Sequence, residues 1–153
     1  MRLTVEDRSV PLVAVWLGGL GVVPFLACAA LILVGPPELV GTASDALATY
    51  GAIILSFLGG IQWGFATGHA YAARENDALL RRLSVSVLPS LVAWTALLAP
   101  REPGLVILAG AFLLVLLVDI RAAGSNRAPA WYPSLRWPLT LLVVASLLVA
   151  TLA

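Results

Sequence analysis

Long apolar stretches separated by short polar segments make up almost the whole chain. Five stretches are long enough to form helices, at about residues 10–34, 46–70, 83–99, 105–120 and 137–151. A helix needs about 20 predominantly apolar residues to cross the hydrocarbon core of a bilayer. The pattern therefore predicts an all-α fold, a polytopic membrane protein in which a bundle of five transmembrane helices forms one domain over residues 1–153.

Prolines and charged residues mark the expected connections. Pro36 and Pro37 should end the first helix, because proline cannot continue the hydrogen-bonding pattern of a helix interior. A loop is expected over residues 35–45, with Asp45 or a neighbouring hydroxyl capping the second helix. Further connections are expected at residues 74–82, 100–104 and 121–136.

Small residues recur at every fourth position of the second stretch. They are Ala52, Ser56, Gly60, Gly64 and Gly68. In a helix this spacing forms one slowly winding stripe that advances by about 40° per step. Transmembrane helices associate through close backbone contact, which small residues permit. The stripe therefore predicts close packing of the second helix, against a neighbouring helix of this chain or against a partner.

The composition separates this chain from soluble domains. Hydrophobic residues make up 61% of it and charged residues only 11%, whereas about 25% charged residues is usual in soluble proteins. The formal net charge of +1 gives no basis for nucleic-acid binding. The bilayer is the expected partner, together with a second membrane protein or another copy of the chain.

The distribution of arginine predicts an orientation. If all five stretches cross the bilayer, eight arginines share the side of the N-terminus: Arg2, Arg8, Arg74, Arg81, Arg82, Arg121, Arg127 and Arg136. The other side has only Arg101. Because positive residues in short loops favour the cytoplasm, we expect a cytoplasmic N-terminus and an outside C-terminus. The exclusive use of arginine over lysine is typical of a GC-rich bacterial gene, and indicates a bacterial inner membrane.

Two polar residues of the second helix are candidates for function. Gln62 must satisfy its amide without water, and His69 follows about two turns later on nearly the same face. Trp63 lies beside the small-residue stripe instead. One hypothesis is that Gln62 hydrogen-bonds across to a neighbouring helix. The alternative is that it belongs to a ligand or proton pathway.

Asp119 is a further candidate, because it lies near the end of the fourth helix, where the helix dipole disfavours a negative charge. An ion pair with an arginine of another segment would compensate for this position, and the candidate partners are Arg74, Arg82 and Arg136. The alternative is an ordinary hydrated aspartate at the membrane surface.

The sequence offers little basis for enzymatic chemistry. Cys28 is the single cysteine and His69 the single histidine, so a disulfide within the chain or a cysteine–histidine metal site is not expected. No nucleophile, base and acid recur at a recognisable spacing. We expect no cofactor, no metal and no catalytic residues.

One segment resembles a known family. Residues 50–66 read YGAIILSFLGGIQWGFA and contain a FLGG-x-x-WG pattern, Phe57 to Gly60 followed by Trp63-Gly64. This pattern, with the later stretch from Trp131 to Arg136, resembles the DUF3429 domain family. The resemblance implies a multi-pass inner-membrane protein whose activity is unknown.

Two function classes follow from these observations. The first is a non-enzymatic structural, assembly or scaffolding protein that packs through the glycine-rich second helix. The second is a small transporter or channel whose polar path uses Gln62, Ser56 and His69. Replacement of Gln62 by alanine should be mild in the first class and should abolish flux in the second.

Overall fold

The computed structural model describes residues 9–73, 76–126 and 128–152, and the side chains of residues 69–73 and 76–78 lie outside the described part. It contains five helices: α1 Leu12–Val34, α2 Pro37–Ala73, α3 Asn76–Leu98, α4 Arg101–Gly124 and α5 Tyr132–Val149. The all-α prediction is confirmed. Four of the helices, α1, α2, α4 and α5, are long and apolar enough to cross a membrane.

The loop expected over residues 35–45 is wrong, because α2 already begins at Pro37. Proline suits the first turn of a helix, where its missing N–H would have no partner in any case. Glu38 then places a negative charge in the first turn, where the helix dipole favours it. Asp45 is therefore no cap but an exposed residue inside α2, which has 37 residues and a length of about 55 Å.

Two contact levels show the relative directions of α2, α4 and α5. The first level joins α2, α4 and α5 through Gly51, Leu108 and Leu147. The second level, about three helical turns away, joins the same helices through Gln62, Asp119 and Arg136. Residue numbers rise from the first level to the second in α2 and α4 and fall in α5. The helices α2 and α4 therefore run parallel to each other and antiparallel to α5.

Aromatic and leucine side chains fill the centre of the bundle. Phe25 of α1 is fully buried and makes edge-to-face contacts with Tyr50 of α2 and Phe112 of α4, at centroid distances of 5.0 and 6.1 Å. The Tyr50 hydroxyl also donates a hydrogen bond of 3.1 Å to the Gly21 carbonyl of α1. These contacts hold α1 against the other helices on both sides of the interior proline, Pro24, since Gly21 precedes it and Phe25 follows it.

The outside of the bundle is also apolar. Many large hydrophobic side chains are exposed on every helix, and Trp16, Leu114 and Trp94 are each more than 60% exposed. A soluble monomer rarely exposes apolar surface of this extent. The outer surface is typical of a protein surrounded by lipid.

Candidate functional site

Three helices meet at a buried polar network formed by Gln62 of α2, Asp119 of α4 and Arg136 of α5. The Gln62 Nε2 donates a hydrogen bond to Asp119 Oδ1, and the Arg136 Nε donates one of 3.0 Å to Asp119 Oδ2. Asp119 is 1% exposed and Arg136 is 8% exposed. The structure thus brings together two of the candidate polar residues, and of the three candidate arginines it places Arg136 against the carboxylate.

The network compensates for part of the cost of its own burial, since Arg136 Nη2 is buried without a hydrogen-bond partner among the described residues. α4 continues to Gly124, more than one turn past Asp119, so the helix dipole contributes little at this position. The main cost is that a charge away from water loses its hydration. Arg136 supplies the counter-charge, and Gln62 bonds the second carboxylate oxygen. Both Asp119 oxygens are therefore used, and each bond reaches a different helix. The arrangement fixes α2, α4 and α5 in one register.

Two residues that the sequence reasoning missed adjoin the network. Tyr132 lies one turn before Arg136 in α5, is buried, and packs edge-on against Phe65 of α2 at a centroid distance of 5.4 Å. Thr140 lies one turn after Arg136 and is 1% exposed. Their positions four residues either side of Arg136 were the available signal, because such residues share a helix face. They extend the polar part of the α5 interior over two turns.

A cavity of about 230 Å³ opens beside the network, between α2, α3 and α4. Its polar lining includes Gln62, Arg81 and Arg82, and its walls include Phe65, Val85 and Val118. Arg82, a candidate partner of Asp119, therefore faces this cavity instead of the carboxylate.

The other sequence candidates are not part of the network. Trp63 is 46% exposed on the outer side of α2. The His69 side chain and Arg74 lie outside the described residues. Within the described ranges, no group of three histidine, cysteine or acidic side chains is placed to hold a metal ion.

The expected internal packing of the small-residue stripe is wrong at its C-terminal half. Ala52 is buried and Ser56 half-buried, but Gly60, Gly64 and Gly68 are exposed, and a Cβ built on any of these glycines would meet no atom within 4 Å. The reason is geometric. A four-residue spacing drifts by about 40° per step, so the stripe turns by about 160° from its first member to its last. It therefore leaves the helix interface.

The close helix approach occurs at Gly59 instead. A Cβ built there would lie 2.5 Å from the Ser86 carbonyl oxygen and 3.5 Å from the Pro89 side chain, both on α3. Only glycine permits this separation, as is usual where transmembrane helices pack closely. The signal in the sequence was the pair Gly59-Gly60, of which the first member is the one that packs.

A second ion pair lies at the opposite end of the bundle. Arg101 Nη2 lies 3.1 Å from Asp45 Oδ1, and the two side chains are 49% and 68% exposed. This pair joins the first turn of α4 to the early part of α2. Because it is exposed to the surroundings, it contributes far less than a buried pair to holding the helices.

Comparison with known proteins identifies the family. Residues 10–152 match the family described as "Protein of unknown function (DUF3429)". The chain is also similar to Transmembrane protein 69 of Xenopus tropicalis, with 34% identity over 146 residues. That match covers 92% of this chain and 54% of the relative, so the chain spans about half of the relative's length. No solved structure matches. Together with the four long apolar helices, these matches identify a multi-pass membrane protein of unknown function, and the chain belongs to the DUF3429 family.

Proposed function

We propose that this protein crosses a bacterial inner membrane five times and has a structural or assembly role without enzymatic activity. The observation that carries the proposal is the Gln62–Asp119–Arg136 network. In it, the interior polar groups bind one another across three helices. Such an arrangement serves to hold a defined bundle, which a scaffold for other membrane proteins requires.

The fifth crossing is the one that α3 would supply. Its Ser86 and Pro89 lie against Gly59 of α2, and its buried Ala96 lies against Gly104, near the start of α4. The helix thus accompanies α2 antiparallel from one end of the bundle to the other. Its outer side chains include Leu88, Leu91, Trp94 and Leu98, all more than half exposed. An apolar exterior at this position supports a helix that faces lipid.

The two ends of the bundle support the proposed orientation. Arg81, Arg82 and Arg121 lie at the end where α2 meets α3 and α4 ends. Trp63 and Trp137 are exposed beside the buried network at that same end, as tryptophans are at a lipid–water interface. The arginine-rich end is therefore assigned to the cytoplasm, together with the N-terminal side of α1.

The outward glycines of α2 support an assembly role. Gly60, Gly64 and Gly68 leave a shallow, side-chain-free surface that no helix of this chain covers among the described residues. A transmembrane helix of a partner protein or of a second copy is the occupant that such a surface admits. The proposal is that the buried network fixes the bundle and this surface receives the other helix.

Crosslinking in native membranes tests this role. A photoreactive residue in place of Phe57, which is 63% exposed on the same side of α2, should give a crosslinked species larger than one chain. Gly64→Leu should abolish that species. Gly110→Leu is the matched control, because Gly110 is an equally open glycine on α4. If neither the wild type nor the control gives a crosslinked species, the assembly role is wrong.

A transporter or channel is the alternative, and one observation favours it. The cavity between α2, α3 and α4 reaches Gln62, so a polar path would start there. This alternative predicts that Gln62→Ala abolishes flux in reconstituted vesicles while the protein stays folded. Under the assembly role the same variant loses only part of its stability.

A further inference from the structure

The cavity beside the network has an unusual charge distribution. Two consecutive guanidinium groups, Arg81 and Arg82, contribute to its lining, and the described lining residues include no carboxylate. Asp119 of the adjoining network is already bonded to Gln62 and Arg136. Within the described part of the chain, the cavity is therefore a cationic site without an acidic counterpart.

Arg82 has a buried polar atom that an anion would pair. Its Nε is buried and has no hydrogen-bond partner among the described residues. A buried N–H of a charged group costs free energy when it is left unpaired. An anionic oxygen in the cavity would pair it, and the exposed Arg81 next to it would supply a second cation.

The remaining walls of the cavity suit an apolar body. Phe65 and Ala66 of α2, Val85 of α3, and Val118 and Ala122 of α4 form them. The cavity lies on the same end of the bundle as the exposed Trp63, where the orientation proposed above puts the cytoplasmic lipid–water interface. A ligand that matches all three features has an anionic group at the interface and an apolar part that points into the bilayer.

We propose that this cavity binds the phosphate group of an anionic phospholipid. Arg81 and Arg82 hold the phosphate oxygens, and Phe65, Val85 and Val118 contact the first carbons of the acyl chains. Basic pockets between transmembrane helices on the cytoplasmic side are suited to such headgroups. This site is separate from the outward surface of α2, so it holds whether or not a partner helix binds there.

Native mass spectrometry of the full chain in detergent tests the proposal. The probes are phosphatidylglycerol and phosphatidylcholine at equal concentration, and the wild type should retain the first preferentially. Arg82→Gln should reduce retained phosphatidylglycerol about tenfold, as expected for the loss of one charge-assisted hydrogen bond. Arg121→Gln is the matched control, since it removes an exposed arginine from the same end without touching the cavity. It should retain the lipid like the wild type.

A second variant and a second probe complete the lipid-binding experiment. Arg81→Gln, at an exposed position, tests the site should Arg82→Gln fail to fold, as judged by its thermal melting in detergent. Inorganic phosphate is added alone to identify a soluble anion as the source. Equal retention of both lipids, equal losses in the Arg82 and Arg121 variants, or binding of inorganic phosphate without phosphatidylglycerol would each overturn the proposal.

Discussion

The two sides of α2 have different surroundings: its inner side packs against the other helices of the bundle, and its outer side is exposed. Gly59 and Gly60 are adjacent, yet they lie about 100° apart around the helix. Gly59 is buried against the backbone of α3, whereas Gly60 is exposed and meets no atom within 4 Å. The same contrast separates Gln62, which bonds Asp119, from the exposed Trp63. A residue in this helix therefore acquires its role from the neighbour it faces and not from its type.

Removing Asp119, the charge to which Gln62 on the inner side of α2 donates a hydrogen bond, should reduce the stability of the protein most. Asp119→Ala leaves the Arg136 guanidinium buried without a counter-charge, and we expect the free energy of unfolding to fall by about 3–5 kcal/mol. The measurement is unfolding in mixed detergent micelles, followed by circular dichroism. A loss below about 1 kcal/mol, as expected for an exposed ion pair, would mean that contacts on the inner side of α2 contribute no more to stability than those on its outer side.

Two double variants serve as controls for this loss. Reversing the pair, with Asp119→Arg and Arg136→Asp, should recover part of the stability because both charges are again matched. Replacing both by leucine should recover part of it too, since an apolar pair often substitutes for a buried ion pair. Double variants as unstable as Asp119→Ala would show that the ion pair is not the source of the effect.

The adjacent residues Gly59 and Gly60 allow the most direct comparison of the inner and outer sides of α2. Gly59→Ala adds a methyl group 2.5 Å from the Ser86 carbonyl, and overpacking of this kind typically costs about 1–3 kcal/mol. Gly60→Ala should leave stability unchanged or raise it by up to about 1 kcal/mol, because alanine favours a helix over glycine. Both are measured by the same unfolding assay. Equal effects in the two variants would contradict the assignment of the two sides.

Gln62 should contribute less to stability than Asp119, the charge to which it donates a hydrogen bond. Gln62→Leu removes a hydrogen bond between helices, and we expect a loss of about 0.6–2 kcal/mol. Trp63→Leu is the control on the outer side, with an expected change within about 0.5 kcal/mol. A larger loss of stability in Trp63→Leu than in Gln62→Leu would contradict the assignment of the more stabilising contacts to the inner side of α2.

The exposed ion pair should show the smallest effect. Asp45→Ala removes the partner of Arg101, and an exposed pair of this kind contributes about 0–1 kcal/mol. High salt should erase the difference from the wild type, because mobile ions screen exposed charges. The test is the difference in unfolding free energy at low and high salt. A difference that persists at high salt would mean that this pair behaves like the buried one.

The existence of five helices was predictable because long apolar stretches suffice to indicate them. Their bounds were predicted less well: α3, α4 and α5 begin at residues 76, 101 and 132 instead of 83, 105 and 137, so the connections expected at 74–82, 100–104 and 121–136 are shorter than predicted. The start of α2 was not predicted either. Pro36 and Pro37 both indicate a break, yet Pro37 also fits the first turn of a new helix, and only the tertiary structure decides. The extra length of α2 was missed for the same reason, because residues 37–45 are too polar to be identified by hydropathy.

The candidate site was predictable in part. Asp119 was predicted to need an arginine because the fourth helix was expected to end at residue 120, but α4 continues to Gly124, and burial is the reason for the pairing. The choice among the three candidate arginines depends on which helices are neighbours. The stripe through Gly60 and Gly64 was misjudged because spacing alone does not say where a drifting stripe leaves its interface. Thr140 was missed, although its position four residues after Arg136 places it on the same helix face.

The unequal lengths of the helices bear on the membrane itself. α5 has 18 residues and covers about 27 Å, while α2 has 37 residues and covers about 55 Å. A typical hydrocarbon core is about 30 Å thick, so we expect the bilayer to thin locally beside α5, while α2 is long enough to extend beyond the core. We expect the protein to be most stable in vesicles of short-chain lipids, and a stability that rises with acyl length would contradict this. The bundle then imposes a local thinning on the bilayer around it.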